Sequence, residues 1–157
     1  MTGQYRTRST EETREVARQF AHTLQRGDVV ALIGDLGAGK TQFVKGVCEA
    51  LGVSSPVASP TFVLLHRYIG KDTAGEELII HHVDLYRVAS SSEILDLGYE
   101  EIFFGDGICL VEWADRLGNL LPDKRIDVRL ILGGTEEERD IALTRVNTGI
   151  GLENDAR

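Results

Sequence analysis

The chain is poor in the residues that carry metal, redox and membrane chemistry. Among its 157 residues there are two cysteines, three prolines, one methionine and one tryptophan. Cys48 and Cys109 lie far apart and belong to no C-x-x-C or Cys/His cluster. That pattern argues against structural zinc and for buried free thiols in a reducing compartment. No apolar run approaches the ~20 residues that span a bilayer, so no membrane segment is expected. The opening stretch MTGQYRTRSTEE lacks the apolar centre of a secretion signal, which makes a cytoplasmic location the expectation. Positive charge is also short: 17 Lys and Arg stand against 25 Asp and Glu, a formal net charge of −8. Tight direct binding of nucleic acid needs many phosphates neutralised, so any action on nucleic acid should pass through a basic partner.

What remains is the composition of an ordered soluble domain, 42% hydrophobic and 27% charged. No repeat, low-complexity block or linker divides it. One domain over 1–146 is expected, followed by a polar, disordered tail over 147–157. A first helix is predicted from STEETREVARQFAHTLQRG, where Ser9 and Glu12 have capping-box spacing and Gly27 is placed to end the helix. Val16, Ala17, Phe20, Ala21 and Leu24 share one face of that helix. DVVALIG reads as a buried parallel strand, and Phe43, Val44, Val47 and Leu51 as the apolar face of a second helix. SSPVASPTF is a loop, and FVLLHRY, GKDTAGEE and LIIHHVDLYR make strand, turn and returning strand. SSSEILDLGYEEIF carries helix-cap chemistry, GICLVEW is a further buried strand, and RIDVRLIL with RDIALTRV forms a closing hairpin. The order predicts an α/β domain of the P-loop NTPase type, a three-layer sandwich with a mixed, largely parallel sheet and a C-terminal hairpin.

Between the first predicted strand and the second helix stands GDLGAGKT, residues 34–41. A G-x-x-x-x-G-K-[ST] string would arise by chance in roughly one in two hundred shuffled chains of this composition, before its strand–loop–helix context is required. The physical reading is a phosphate cradle. Backbone N–H groups from Leu36, Gly37, Ala38 and Gly39 through Lys40 to Thr41 would form a nest at a helix N-terminus, with Gln42 following. Lys40 would reach the β- and γ-phosphates, and the Thr41 hydroxyl would ligate Mg²⁺. Asp35 puts a carboxylate inside the loop, yet a side chain turned outward at ~8 Å in screened solvent opposes phosphate by at most roughly 0.5 kcal/mol.

Transfer or hydrolysis also needs a carboxylate near the cation and the attacking group. Asp84 in IIHHVDLYR and Glu112 in ICLVEW each end an apolar strand, and in open α/β sheets strand carboxyl ends face the ligand crevice. Each could equally cap a strand or pair at the surface. Thr61 in SPTF could sense a γ-phosphate as switch loops do, or serve as a turn hydroxyl after Pro60. His81 and His82 occupy successive strand positions and therefore face opposite sides, which excludes a paired metal site there. Trp113 adjoins Glu112 and could report on the site.

Taken in order and at these distances, GDLGAGKT, SPTF, HHVDLYR, LGYEEIF and LVEWADR resemble the TsaE (YjeE) family of small bacterial ATPases, from about residue 10 to 145. That family takes part in making threonylcarbamoyladenosine at position 37 of tRNA. The resemblance implies ATP and Mg²⁺ as cofactors, with Lys40 and Thr41 as phosphate and cation residues. It implies Glu112 as a second cation residue, Asp84 as an acid needed for activity and Thr61 as part of a switch-like loop. Contacts on the adenosine side are implied for Thr10, Thr13 and Arg139. Asp35 belongs to the family's usual form of the loop, at the γ-phosphate edge. TsaD and TsaB are the implied partners, with tRNA reached only through them. ATP hydrolysis would then reset or drive that complex.

A small-molecule or nucleotide kinase could use the same loop, but basic residues are scattered and no lid-like insertion follows the phosphate-binding half. A regulatory GTPase would carry an N-K-x-D guanine reader, and none occurs. A scaffold stabilised by unhydrolysed nucleotide remains open.

Overall fold

A computed structural model describes residues 1–147, so the predicted tail from 148 onward lies outside the described residues. In chain order the elements are β1 (Gly3–Thr7), α1 (Thr10–Ala21), β2 (Val29–Ile33), α2 (Lys40–Ala50), β3 (Leu65–Lys71) and β4 (Glu77–Asp84). There follow α3 (Ser91–Asp96), α4 (Tyr99–Phe104), β5 (Ile108–Glu112), a 3-10 segment (Ala114–Leu120), β6 (Lys124–Leu132) and β7 (Arg139–Asn147).

The strands form one sheet in the order β1-β7-β6-β2-β5-β4-β3. β6, β2, β5 and β4 are mutually parallel at its centre, and the antiparallel partners β7 and β3 flank them. Period-two alternation sorts the central strands between two cores. Val30, Leu32, Ile108 and Leu110 face α1 and α2, where they meet Phe20, Phe43 and Val47. Val29, Ala31, Cys109 and Val111 face the opposite layer of Ile94, Ile102, Phe103 and Leu117. These central strands are apolar on both faces because both faces are covered. This is the three-layer α/β arrangement with a mixed sheet and C-terminal hairpin expected from the sequence. Both cysteines are buried and free, and burial pushes the Cys48 thiol up to about 12.

Three local expectations are corrected. The β1 strand has no counterpart in the sequence reading: GQYRT buries only Thr7 and is held extended by antiparallel pairing to β7, a long-range cause with little local signature. Helix α1 does start at the Ser9 cap, whose hydroxyl accepts from the Glu12 N–H, but the Glu12 carboxylate reaches Arg8 N. The helix stops at Ala21, well before Gly27, because Thr23 donates both its N–H and its hydroxyl to Phe20 O and tightens the last turn. Gly27 instead takes a left-handed φ of 87° in the turn into β2 and donates to Gly107 O. Finally, β3 begins at Leu65, since Thr61–Leu64 close onto the Pro60 carbonyl before the chain extends.

Helices α1 and α2 approach closely at Gly46. A Cβ there would meet Arg14 O at 2.6 Å and Ala17 Cβ at 2.7 Å. Gly46→Val is therefore expected to lower the unfolding free energy by about 2–3 kcal/mol, the cost of overpacking a tight contact. Urea denaturation checks it; an unchanged midpoint would mean that the two helices part freely.

Candidate active site

The loop from β2 to α2 uses its glycines in two ways. Gly37 (φ 82°) and Gly39 (φ 102°) occupy left-handed backbone that strains other residues. Gly34 makes room: a Cβ would meet the Leu130 carbonyl of β6 at 2.6 Å. The loop delivers the chain to Lys40, the first residue of α2. The first-turn N–H groups of a helix lack intrahelical partners and, with the helix dipole, favour an anion at that end. They open onto a cleft of about 450 Å³.

Lys40 is buried and folded back on the loop, donating to Gly34 O at 2.5 Å and Asp35 O at 3.0 Å. Its Nζ lies 4.0 Å from the centre of the Trp113 ring. Burial pushes the ammonium below the usual lysine range, while Glu112, Asp84, Asp35 and Asp115 oppose that shift. From outside, Arg139 of β7 braces the same loop: Nε donates to Ala38 O at 2.9 Å and NH2 to Gly37 O at 3.0 Å.

On the facing wall β4 and β5 end level with one another, Asp84 standing opposite Glu112 in the parallel register. Both carboxylates are buried, and each is satisfied from a different direction. Glu112 accepts the Thr41 hydroxyl at 3.1 and 3.2 Å on its two oxygens, and its Oε2 lies 2.7 Å from His82 Nε2. Asp84 Oδ2 accepts the hydroxyls of Ser59 at 2.7 Å and Thr61 at 3.1 Å, and Oδ1 accepts Tyr86 N–H at 2.9 Å. Just past Glu112, Trp113 takes a left-handed φ of 59°. That turn off the strand lays the indole over Lys40 and 5.0 Å from the Tyr86 ring centre.

Most of the residues singled out from the sequence converge here. Leu36, Gly37, Gly39, Lys40, Thr41 and Gln42 line the cleft on the loop side, Thr61, Asp84 and Glu112 on the strand side. Thr10, Thr13 and Arg139 line its third side. The Thr10 N–H and hydroxyl both bind Glu137, Thr13 shares a 2.7 Å hydrogen bond with Thr7, and Gln42 accepts from Arg14. Two residues point elsewhere. Asp35 is exposed off the cleft lining, and the Ala38 side chain is buried in the core beneath the loop.

The sequence reading missed Ser59, Tyr86 and Glu137 as lining residues and His82 as the partner of Glu112. Ser59 lies two positions before Thr61 on one loop, and His82 shares strand parity with Asp84, so each had a local signal. Glu137 had none, because its place depends on the β6–β7 turn reaching the start of α1.

Thr41 and Glu112 offer hard oxygen donors of the kind Mg²⁺ takes. Among the described residues no group of three or more His, Cys, Asp or Glu side chains could hold a metal alone. Among the described residues, no helix is long and apolar enough to cross a membrane.

Residues 7–141 match the family model described as "Threonylcarbamoyl adenosine biosynthesis protein TsaE". The chain is 43% identical over 142 residues to the tRNA threonylcarbamoyladenosine biosynthesis protein TsaE of Bacillus subtilis, covering 90% of this chain and 85% of that one. The protein of the same name from Treponema pallidum is 37% identical over 132 residues, covering 83% of this chain and 93% of the relative. The crystal structure of YdiB from Bacillus subtilis superposes with a TM-score of 0.75 at 35% identity, covering 99% of this chain and 95% of the other.

The contact between Lys40 and the single tryptophan makes the site's ionisation observable. The ammonium loses its charge as pH rises through a value below the ordinary lysine pKa of about 10.4. Trp113 emission is therefore expected to change over that alkaline range in the free protein, and Lys40→Met should abolish that change. An identical transition in Lys40→Met would contradict the assignment.

Proposed function

The chain belongs to the TsaE family of tRNA threonylcarbamoyladenosine biosynthesis proteins, and from that premise we propose that it is a Mg²⁺-dependent ATPase. It binds ATP in the cleft between the glycine loop and the ends of β4 and β5. It hydrolyses the nucleotide slowly when alone and faster with TsaD and TsaB, which it serves in the cytoplasm, reaching tRNA only through them. The observation that carries this reading is the meeting, at one helix N-terminus, of Lys40 and Thr41 with the buried carboxylates of two neighbouring strands.

Each residue's part follows from its present partners. The first-turn N–H groups of α2 receive phosphate oxygens, and Lys40 exchanges the carbonyls of Gly34 and Asp35 for them. Thr41 and Glu112 would hold Mg²⁺, which when bound neutralises charge on the β- and γ-phosphates. With Glu112 committed to Thr41, Asp84 is the carboxylate left to orient the attacking water. The Ser59 and Thr61 hydroxyls hold Oδ2 of Asp84 in place. The products are ADP and inorganic phosphate.

The rim supports a partner-facing role. Leu36, Phe62 and Val63 are exposed at 71%, 82% and 60%, and Phe62 and Val63 directly follow the Thr61 that binds Asp84. Leu36 lines the cleft itself, and exposed large apolar side chains beside a site suit a contact surface. The net charge of −8 favours docking on a basic partner over direct contact with tRNA.

Lys40→Ala is expected to weaken ATP binding by about 10- to 100-fold, the worth of one charge-assisted phosphate contact; near-wild-type titration would displace the loop as the site. Asp84→Asn should keep binding and lose about 100-fold or more in turnover, followed as release of labelled phosphate. Label on a small-molecule acceptor would mean a kinase. Absence of TsaD and TsaB from affinity pull-downs with and without ATP would overturn the partner assignment.

A further inference from the structure

Glu112 is 3% exposed, and in the described residues its carboxylate has two side-chain partners, Thr41 and His82. These partners differ in what they are free to do. The Thr41 hydroxyl stands at the mouth of the cleft and is the group a cation would claim. His82 is fully buried on β4, two residues before Asp84 and on the same face of the sheet. Its Nε2 lies 2.7 Å from Glu112 Oε2, the shortest side-chain contact that carboxylate makes. On the other side of the ring, Nδ1 lies 3.3 Å from the Tyr68 hydroxyl, whose oxygen is also 3.2 Å from Ala58 O, so its one hydrogen serves either that nitrogen or that carbonyl. The imidazole is thus held at both nitrogens, and the chain of contacts runs from Thr41 to the backbone just before Ser59 and Thr61.

We propose that His82 is a positioning residue of the cation site: its Nε2–H fixes the Glu112 carboxylate toward Thr41, and Tyr68 locks the ring against the Ala58 loop. A carboxylate oxygen is the acceptor, so Nε2 carries the hydrogen and Nδ1 faces Tyr68. A hydroxyl that gives a lone pair to a cation keeps its hydrogen, so Thr41 can still donate to Glu112 while His82 holds Oε2 from behind. Without His82 the Oε2 side of the buried carboxylate has no side-chain donor of its own behind it, and the group is free to rotate away from the cation. Groups behind metal ligands commonly orient them in this way. The inference rests on the Mg²⁺-ATP reading above and adds the residue that sets cation affinity, as distinct from phosphate affinity.

The test measures nucleotide binding by Trp113 fluorescence in the full chain, in EDTA and across a Mg²⁺ titration. His82→Leu removes the donor at similar volume, and His82→Gln returns an amide N–H. With His82→Leu, ATP binding in EDTA should match wild type, while the Mg²⁺ concentration giving half the metal-dependent change rises about tenfold or more. His82→Gln should recover most of that loss. An unchanged Mg²⁺ requirement in His82→Leu, or an equal defect in His82→Gln, would overturn the inference. If His82→Leu does not fold, Tyr68→Phe takes its place. It leaves the Glu112 contact but frees the ring, and a raised Mg²⁺ requirement with unchanged binding in EDTA is expected; no rise would overturn the proposal. A wild-type protein that binds ATP without any response to Mg²⁺ would overturn the cation reading itself, a result distinct from a variant that responds as wild type does.

Discussion

The contact between the Thr41 hydroxyl and the Glu112 carboxylate ties the start of α2 to the end of β5, and the rest of the site is arranged around it. It can form only because β2 and β5 are adjacent and parallel, with Leu32 level with Glu112, so that the helix leaving β2 begins over the carboxyl end of its neighbour. The same register sets Asp84 beside Glu112 on the next strand. Burying two carboxylates so close together is costly unless each has donors of its own. The structure supplies them from separate sources, a helix and a strand for one, the Ser59–Thr61 loop and a backbone N–H for the other. The carboxylates therefore sit side by side without sharing partners, and each can take a separate task.

The glycine loop shows the complementary constraint. Its carbonyls must be held so that its N–H groups are available, and two cations do this from opposite sides. Lys40 gathers the carbonyls of Gly34 and Asp35, and Arg139 those of Gly37 and Ala38. Arg139 thereby acts on the loop's backbone while lining the cleft beside Thr10 and Thr13. Asp35, whose carboxylate looks out of place in a phosphate loop, is exposed and off the cleft lining, while its carbonyl serves Lys40. Main-chain groups make the cradle, so the side chain at this position is free to face solvent or a partner.

Much of this was legible in the sequence because the signals were local. The strand–loop–helix context, the glycines and the apolar central strands follow from spacing and backbone sterics within a few residues. Asp84 and Glu112 were legible as strand-end acids, and His81 and His82 as residues of opposite faces. The illegible parts depend on register between distant segments. Nothing near GQYRT shows that it will pair with β7, and nothing near Glu137 shows that the hairpin turn will reach Thr10. The early end of α1 came from a different source, a threonine hydroxyl competing for a backbone carbonyl at the last turn.

We propose that a nucleoside triphosphate and its cation occupy the cleft between the glycine loop and the ends of β4 and β5. The most direct measurement is a crystal structure with Mg²⁺ and a non-hydrolysable ATP analogue. The expected result is the triphosphate on the first turn of α2, Lys40 released from Gly34 and Asp35, and the cation between Thr41 and Glu112. A nucleotide bound elsewhere, or a triphosphate that leaves Lys40 on its loop carbonyls, would contradict it.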